Sequence, residues 1–156
     1  MTTKHSAFKK EQFVATEIEI NATQEQVWSV LTDFEKMPEW SSSFQGLEGD
    51  FVSDGKATSL FKGPIGGNVK FEHTIIDFEE GTSFGWSDPF LAGMKDHHVY
   101  KLETLENGNT RFIQTDEVKE GVTKFMGHII ANQMEKDYAK FGKELKARVE
   151  SMFPKN

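Results

Sequence analysis

The chain contains no cysteine, and its 25 acidic residues outnumber its 18 basic ones. Disulfides, thiol nucleophiles and thiolate metal sites are therefore excluded, so packing has to stabilise the fold. The net charge of −7, without any basic run, makes nucleic acid and anionic membrane surfaces poor partners. No stretch approaches the roughly 20 apolar residues of a membrane-spanning helix, and no apolar signal-peptide core follows the polar N-terminus. We expect a cytoplasmic protein with no stable membrane association.

A length of 156 residues fits one domain. We predict a polar N-terminal tail over residues 1–12 and a single domain over residues 13–153. No internal repeat or linker interrupts that domain.

One long helix is predicted at the C-terminal end, over Val122–Ser151. Its apolar residues recur at the three-and-four spacing that forms one stripe along a helix. The stripe consists of Phe125, Ile129, Ile130, Met134, Tyr138, Phe141, Leu145, Val149 and Met152. Because no comparable helix is available to cover it, we expect a sheet to do so.

The rest of the chain predicts strands, apart from a short segment after the first. Thr23 and Gln26 match a capping box that starts one short helix, and Asp33 can cap a second one before Pro38. Alternation and turn signals predict seven strands. These are Phe13–Ile20, Phe44–Ser53, Lys56–Lys62, Asn68–Phe78, Thr82–Ser87, Lys95–Leu105 and Thr110–Lys119. The predicted fold class is α+β, a curved seven-stranded antiparallel sheet around the long C-terminal helix.

Polar residues interrupt the face of the sheet that the alternation turns inward. The inward rows are Val14, Thr16, Ile18 and Ile20; Val69, Phe71, His73 and Ile75; Phe84, Trp86 and Asp88; His98, Tyr100 and Leu102; Phe112, Gln114, Asp116 and Val118. A buried polar group without a partner costs roughly 1–3 kcal/mol, so a dry core would avoid them. We therefore expect a partly wet cavity, with a void above roughly 300 Å³.

The inward polar residues permit two interpretations. His73, His98 and Asp116 are candidate catalytic residues, because a histidine near a carboxylate is the usual proton-transfer unit. Alternatively, these groups bond one another or water and only shape the cavity. The aromatic residues likewise suit either a flat ring ligand or ordinary core packing.

Several other kinds of site are excluded or disfavoured by the sequence. His97 and His98 point to opposite faces of a strand and cannot share a metal, and no zinc motif is present, so we predict no metal site. The glycine-rich loop Gly63–Gly67 lacks the Lys-Ser/Thr ending of a phosphate-binding loop. We predict no cofactor.

Two segments carry a resemblance to a known family. Residues Ile18–Trp40 read IEINATQEQVWSVLTDFEKMPEW, and the end of the sheet contains Tyr100-x-Leu102-Glu103, Asn107–Phe112, Glu117 and Gly121. Together they resemble the START-like or SRPBCC superfamily, the helix-grip fold of polyketide cyclase/dehydrase-type and Bet v 1-like proteins. The resemblance implies a pocket between helix and sheet for lipids, polyketides or other hydrophobic ligands.

Three functions remain open. The first is binding or transport of a hydrophobic or aromatic small molecule; the second is a cofactor-free cyclase or dehydratase using inward His and Asp residues; the third is a protein-interaction module. The predicted ligand-binding residues are Phe71, His73, Phe84, Trp86, Phe90, His98, Tyr100, Phe112, Gln114, Asp116, Phe125 and Ile129. Oligomeric state is left open.

Overall fold

The computed structural model describes residues 11–87, 93–121 and 123–155, without the side chains of Glu11, Lys124 and Phe125. The predictions for Asp88, Phe90 and the Phe125 side chain lie outside these described residues. The elements in chain order are β1 (Glu11–Ile20), α1 (Gln24–Leu31), a 3-10 turn (Met37–Glu39), β2 (Phe44–Gly49), β3 (Lys56–Lys62), β4 (Asn68–Glu79), β5 (Ser83–Ser87), β6 (Lys95–Thr104), β7 (Thr110–Lys119) and α2 (Thr123–Met152).

The seven strands form one antiparallel sheet in the order β1-β7-β6-β5-β4-β3-β2. Strands β2 to β7 are joined in sequence as a meander, and β1 adds to the sheet beside β7. The sheet curves around α2, which packs on β1 and β7. The predicted α+β helix-grip architecture is confirmed.

Alternation along the strands gives the sheet one buried face. On β6 and β7 every second residue is buried, including His98, Tyr100, Gln114 and Asp116. A period of two places such residues on one side of a pleated strand, and here that side faces α2. On β4 the prediction holds for His73 and Ile75, whereas Val69 is 41% exposed.

The segment after β1 departs from the prediction at its second helix. The capping box of α1 is present as predicted, with Thr23 and Gln26 bonding each other's backbone N–H groups. Instead of a second α-helix, however, the chain makes a three-residue 3-10 turn that includes Pro38. Proline has no N–H to donate and fits only the first turn of a helix, so the segment stays short.

Two other boundaries differ from the predicted ones by more than one residue. Strand β1 starts at Glu11, two residues before Phe13, because its ladder with β7 continues to Lys119. Strand β2 ends at Gly49, four residues before Ser53. There the chain turns, with the Asp50 N–H donating to the Lys56 carbonyl.

The buried stripe of α2 is narrower than the one predicted from spacing. Met134, Phe141, Leu145 and Val149 are buried, but Ile129 is 52% exposed, so its prediction as a ligand-binding residue is not supported by its position. At 3.6 residues per turn, Ile129 lies about 140° around the helix from Met134. Small Ala131 and Gly127 take the buried positions on that turn.

The described side chains form two hydrophobic clusters in the interior. The larger one includes Phe44, Trp86, Tyr100 and Phe141, and the smaller one includes Met134. None of the helices in the described part of the chain combines the length and hydrophobicity needed to cross a membrane.

Candidate functional site

A cavity of about 220 Å³ lies between α2 and the inner face of the sheet. Both hydrophobic clusters contribute to its wall. A cavity is therefore present, but its volume lies below the roughly 300 Å³ that we expected for a ligand-binding protein. Aromatic rings from the segments around α1 and β2 fill the remainder of the interior.

Apolar side chains form most of the cavity wall. They are Phe44, Phe61, Phe71, Trp86, Met134, Tyr138 and Phe141, together with the ring of Tyr100. Neighbouring rings are in contact, tilted with centroids 5.2 Å apart for Phe44 and Trp86 and 5.6 Å apart for Tyr100 and Phe141, and stacked for Phe44 and Tyr100. Such contacts hold the rings in place and give the cavity a fixed shape.

Polar groups occupy the rest of the wall. They are Ser43, His73, Asp96, His98, Gln114 and Asp137. Asp137 is exposed on α2, whereas His98 and Gln114 are buried.

The strand register places three functional side chains in one row across the sheet. Trp86 on β5 pairs with His98 on β6, and His98 pairs with Asp116 on β7. The imidazole of His98 lies parallel to the indole of Trp86, with ring centroids 4.7 Å apart and planes 5° apart. The stack fixes the ring plane of His98 and leaves its edges for polar contacts.

A buried hydrogen-bonded cluster joins this row to α2. The Tyr138 hydroxyl donates to Asp116 Oδ2 at 2.5 Å, and His98 Nδ1 lies 3.2 Å from the same oxygen and 3.1 Å from the Tyr138 oxygen. Because the carboxylate only accepts, Nδ1 of His98 carries the proton and donates it to Asp116. In the neutral imidazole, Nε2 is then a bare acceptor.

Both tyrosines of the chain lie at this site. Burial, followed by the nearby Asp116 carboxylate, raises the pKa of Tyr100 and of Tyr138 well above the usual value of 10.0. Both hydroxyls therefore stay protonated at neutral pH and act as hydrogen-bond donors. The Tyr138 hydroxyl donates its proton to Asp116, so the direction of that hydrogen bond is fixed.

Two buried acceptor atoms at the cavity have no protein partner among the described residues. They are His98 Nε2 and Gln114 Oε1. Asp116 Oδ1, which lies behind His98, also lacks a described hydrogen-bond partner. A buried polar atom without a partner is rare in proteins and calls for an explanation such as a bound molecule. The arrangement can accept hydrogen bonds from a molecule in the cavity.

His73 does not join this cluster. It stacks on Trp86 with ring centroids 5.6 Å apart, and its Nε2 bonds Ser59 Oγ at 2.9 Å. Since β4 and β6 flank β5 on opposite sides, Trp86 separates the two imidazoles. Of the three catalytic candidates, only His98 and Asp116 meet. Within the described ranges, no group of three histidine or acidic side chains is placed to hold a metal ion.

The remaining predicted ligand-binding residues lie in several places. Phe71, His73, Trp86, His98, Tyr100 and Gln114 line the cavity. Phe84 and Phe112 are buried in the larger cluster and do not line it, and Asp116 lies behind His98. Ile129 is on the exposed side of α2, and Phe90 and the Phe125 side chain are outside the described residues.

Eight cavity residues were missed by the sequence reasoning. They are Ser43, Phe44, Phe61, Asp96, Met134, Asp137, Tyr138 and Phe141. Alternation could have found Asp96, which lies two residues before His98 on β6. Tyr138, Met134 and Phe141 were part of the predicted helix stripe. Phe44 and Phe61 carried no such signal, because their position depends on how far the sheet edge curls.

The family comparison agrees with this architecture. Residues 12–150 match the family described as polyketide cyclase / dehydrase and lipid transport. No curated protein sequence matches the chain.

Solved structures with low sequence identity share the fold. A START superfamily protein from Mycobacterium smegmatis has a TM-score of 0.70 at 20% identity, over 90% of this chain and 98% of that one. Ara h 8.0201 has a TM-score of 0.64 at 15% identity, over 90% of this chain and 99% of that one.

A similar structure is also found within a longer protein. The di-domain ARO/CYC StfQ from the steffimycin biosynthetic pathway has a TM-score of 0.69 at 10% identity, over 91% of this chain and 51% of that one. These likenesses confirm the fold predicted from the opening and closing motifs. With a family match over nearly its whole length, the chain belongs to the polyketide cyclase / dehydrase and lipid transport family.

Proposed function

We propose that this chain binds a compact hydrophobic or aromatic molecule in the cavity between α2 and the sheet. One observation carries the proposal: the cavity has a wall of aromatic rings and contains buried acceptors, His98 Nε2 and Gln114 Oε1, that no described protein group satisfies. Ligand pockets combine an apolar wall with a few placed polar groups in this way.

The volume limits the size of the ligand. Pockets for drug-sized molecules span about 300–1,000 Å³, whereas an engineered apolar cavity of about 150 Å³ holds one benzene. At about 220 Å³, the cavity matches one or two fused rings better than a long acyl chain. The M. smegmatis START superfamily protein and the StfQ ARO/CYC protein support a ligand-binding role for the fold without identifying a ligand for this chain.

Native mass spectrometry of the purified protein tests this proposal. We expect a co-purified small molecule that is lost on denaturation. Met134→Trp, which fills the cavity from α2, should abolish the adduct. Met126→Trp is the matched control, because Met126 is 48% exposed on the same helix. Equal adduct in both variants would contradict binding in this cavity.

Acid–base catalysis is a second candidate, and the His98–Asp116 hydrogen bond favours it. A histidine that donates Nδ1–H to a buried carboxylate presents Nε2 as an oriented base. Such a base could remove a proton α to a carbonyl, the first step of enolisation or dehydration.

Proton exchange into 2-tetralone, a bicyclic ketone, would test this second candidate. We expect the wild-type protein in D₂O to accelerate exchange of the α-protons, measured by NMR, and His98→Phe to remove the acceleration. If the ketone binds but its α-protons exchange at the rate measured in buffer alone, catalysis is contradicted and only the binding function stands.

A further inference from the structure

The two buried cavity atoms without a described partner share one hydrogen-bonding character. His98 Nε2 and Gln114 Oε1 are both buried acceptors that lack a described partner. The Nδ1 proton of His98 is already directed at Asp116, and the Tyr138 proton is used on the same carboxylate. The buried atoms that still lack a partner at the cavity are thus acceptors, while the hydroxyls of Tyr100 and Ser43 are donors in its wall.

Among the described residues, the formally charged acidic and basic side chains that line the cavity have one sign. Asp96 and Asp137 line it, and Asp116 lies directly behind His98. None of the described lining residues is a lysine or an arginine. Aromatic rings add negative potential at their faces, as in sites that attract cations. A carboxylate in this space would meet like charges, and no described lining residue offers it a lysine or arginine partner.

We propose that the cavity selects a compact aromatic molecule bearing a hydrogen-bond donor, such as a ring hydroxyl, and rejects the matching carboxylate. This inference rests on the proposed function and specifies its ligand chemistry. The single proton of the donor is shared between His98 Nε2 and Gln114 Oε1 in a three-centre hydrogen bond, while the ring packs against Trp86 and Tyr100. Fatty acids and aryl acids are excluded by the same charges.

Three naphthalene probes of similar ring size separate these effects: 2-naphthol carries a donor, naphthalene carries no polar group, and 2-naphthoate carries an anion. By isothermal titration calorimetry we expect 2-naphthol to bind at least about tenfold more tightly than naphthalene, because it satisfies a buried acceptor. The affinity for 2-naphthol should exceed the affinity for 2-naphthoate by at least the same factor.

Two variants test the acceptors separately. His98→Phe keeps a flat ring beside Trp86 but removes Nε2, and Gln114→Leu removes the amide at nearly constant size. Each should bring the ratio of 2-naphthol to naphthalene affinity closer to one while naphthalene still binds. His97→Phe is the matched control, because His97 is exposed on the outer face of β6. If His98→Phe fails to fold, Gln114→Leu still tests the inference.

The possible results distinguish this inference from the proposed function. Equal binding of 2-naphthol and naphthalene, or 2-naphthoate binding as tightly as 2-naphthol, would overturn the donor inference and leave ligand binding standing. Failure of all three probes to bind would overturn the proposed function and the inference with it.

Discussion

At the scale of single residues, two adjacent histidines on β6 have opposite environments. His97 pairs with Asp77 at 2.8 Å on the surface, where both side chains are about half exposed, whereas His98 and Asp116 are almost completely buried. Exposed ion pairs contribute about 0–1 kcal/mol, but removing one member of a buried pair leaves a desolvated group without its partner.

His98→Ala should therefore lower the free energy of unfolding by about 3 kcal/mol, because it strands Asp116 and enlarges the cavity. His97→Ala should change it by less than about 0.5 kcal/mol. Urea unfolding of the two variants measures the difference. Similar losses would contradict the assignment of the buried pair.

Alkaline titration tests the buried tyrosines. The folded-state pKa values of Tyr100 and Tyr138 are raised, so the folded chain keeps protons that the unfolded chain loses. Stability is then unaffected below pH 10 and falls as the pH rises above it, by about 1.4 kcal/mol per pH unit for each tyrosine. Tyr138→Phe should remove about half of this tyrosine contribution.

Tyrosinate absorbance supplies the measurement for that titration. With both tyrosines buried, the signal should appear together with loss of the circular dichroism of the fold, and not before it. In urea, where the chain is unfolded, it should appear near pH 10. Tyrosinate absorbance in the fully folded protein near pH 10 would contradict the burial of the hydroxyls.

At the scale of elements, the close approach of β5 to β6 keeps Trp86 in the row that it forms with His98 and Asp116. A Cβ added at Gly85 would come within 2.2 Å of the His98 carbonyl oxygen and 3.1 Å of Val99 Cα. These are backbone atoms, so β6 itself would have to move.

Gly85→Ala should destabilise the protein by about 3 kcal/mol and weaken any ligand binding that depends on His98. Ser87→Ala on the same strand is the control and should cost less than about 1 kcal/mol. Thermal unfolding of both variants, with and without 2-naphthol, is the measurement. A stable Gly85→Ala variant would show that β5 and β6 can separate at low cost.

The elements were predictable wherever a local rule acts. The capping box of α1 and the alternation on β6 and β7 depend on neighbours within a few residues, and both were predicted correctly. The prediction failed where the outcome depended on the geometry of a long segment. Ile129 has the three-and-four spacing to the stripe residue before it. Small differences between that spacing and the true helical repeat, however, accumulate along a 30-residue helix.

At the scale of the whole molecule, the cavity exists because α2 packs on β1 and β7 and covers β4 to β6 less completely. A molecule that fills this space binds only the folded state, so it must stabilise the fold. With 2-naphthol at one hundred times its Kd, we expect about 2.7 kcal/mol of added stability.

Met134→Trp should lose this ligand-dependent stabilisation, because its indole takes the ligand's place, and Met126→Trp should keep it. Chemical unfolding at several ligand concentrations measures the effect. A wild-type stability that does not change with ligand concentration would contradict binding in the folded state.

The cytoplasmic location and the protein-interaction alternative remain predictions.

By itself, the sequence determined the fold class, the seven strands and the inward position of His98, Tyr100, Gln114 and Asp116, because residue periodicity and turn chemistry act locally. Only the tertiary structure decided which inward groups meet. Register brought His98 to Asp116, Trp86 kept His73 apart, and the curl of the sheet edge placed Phe44 and Phe61 in the wall. These contacts join residues far apart in the chain, and their distances depend on how the whole sheet bends around α2.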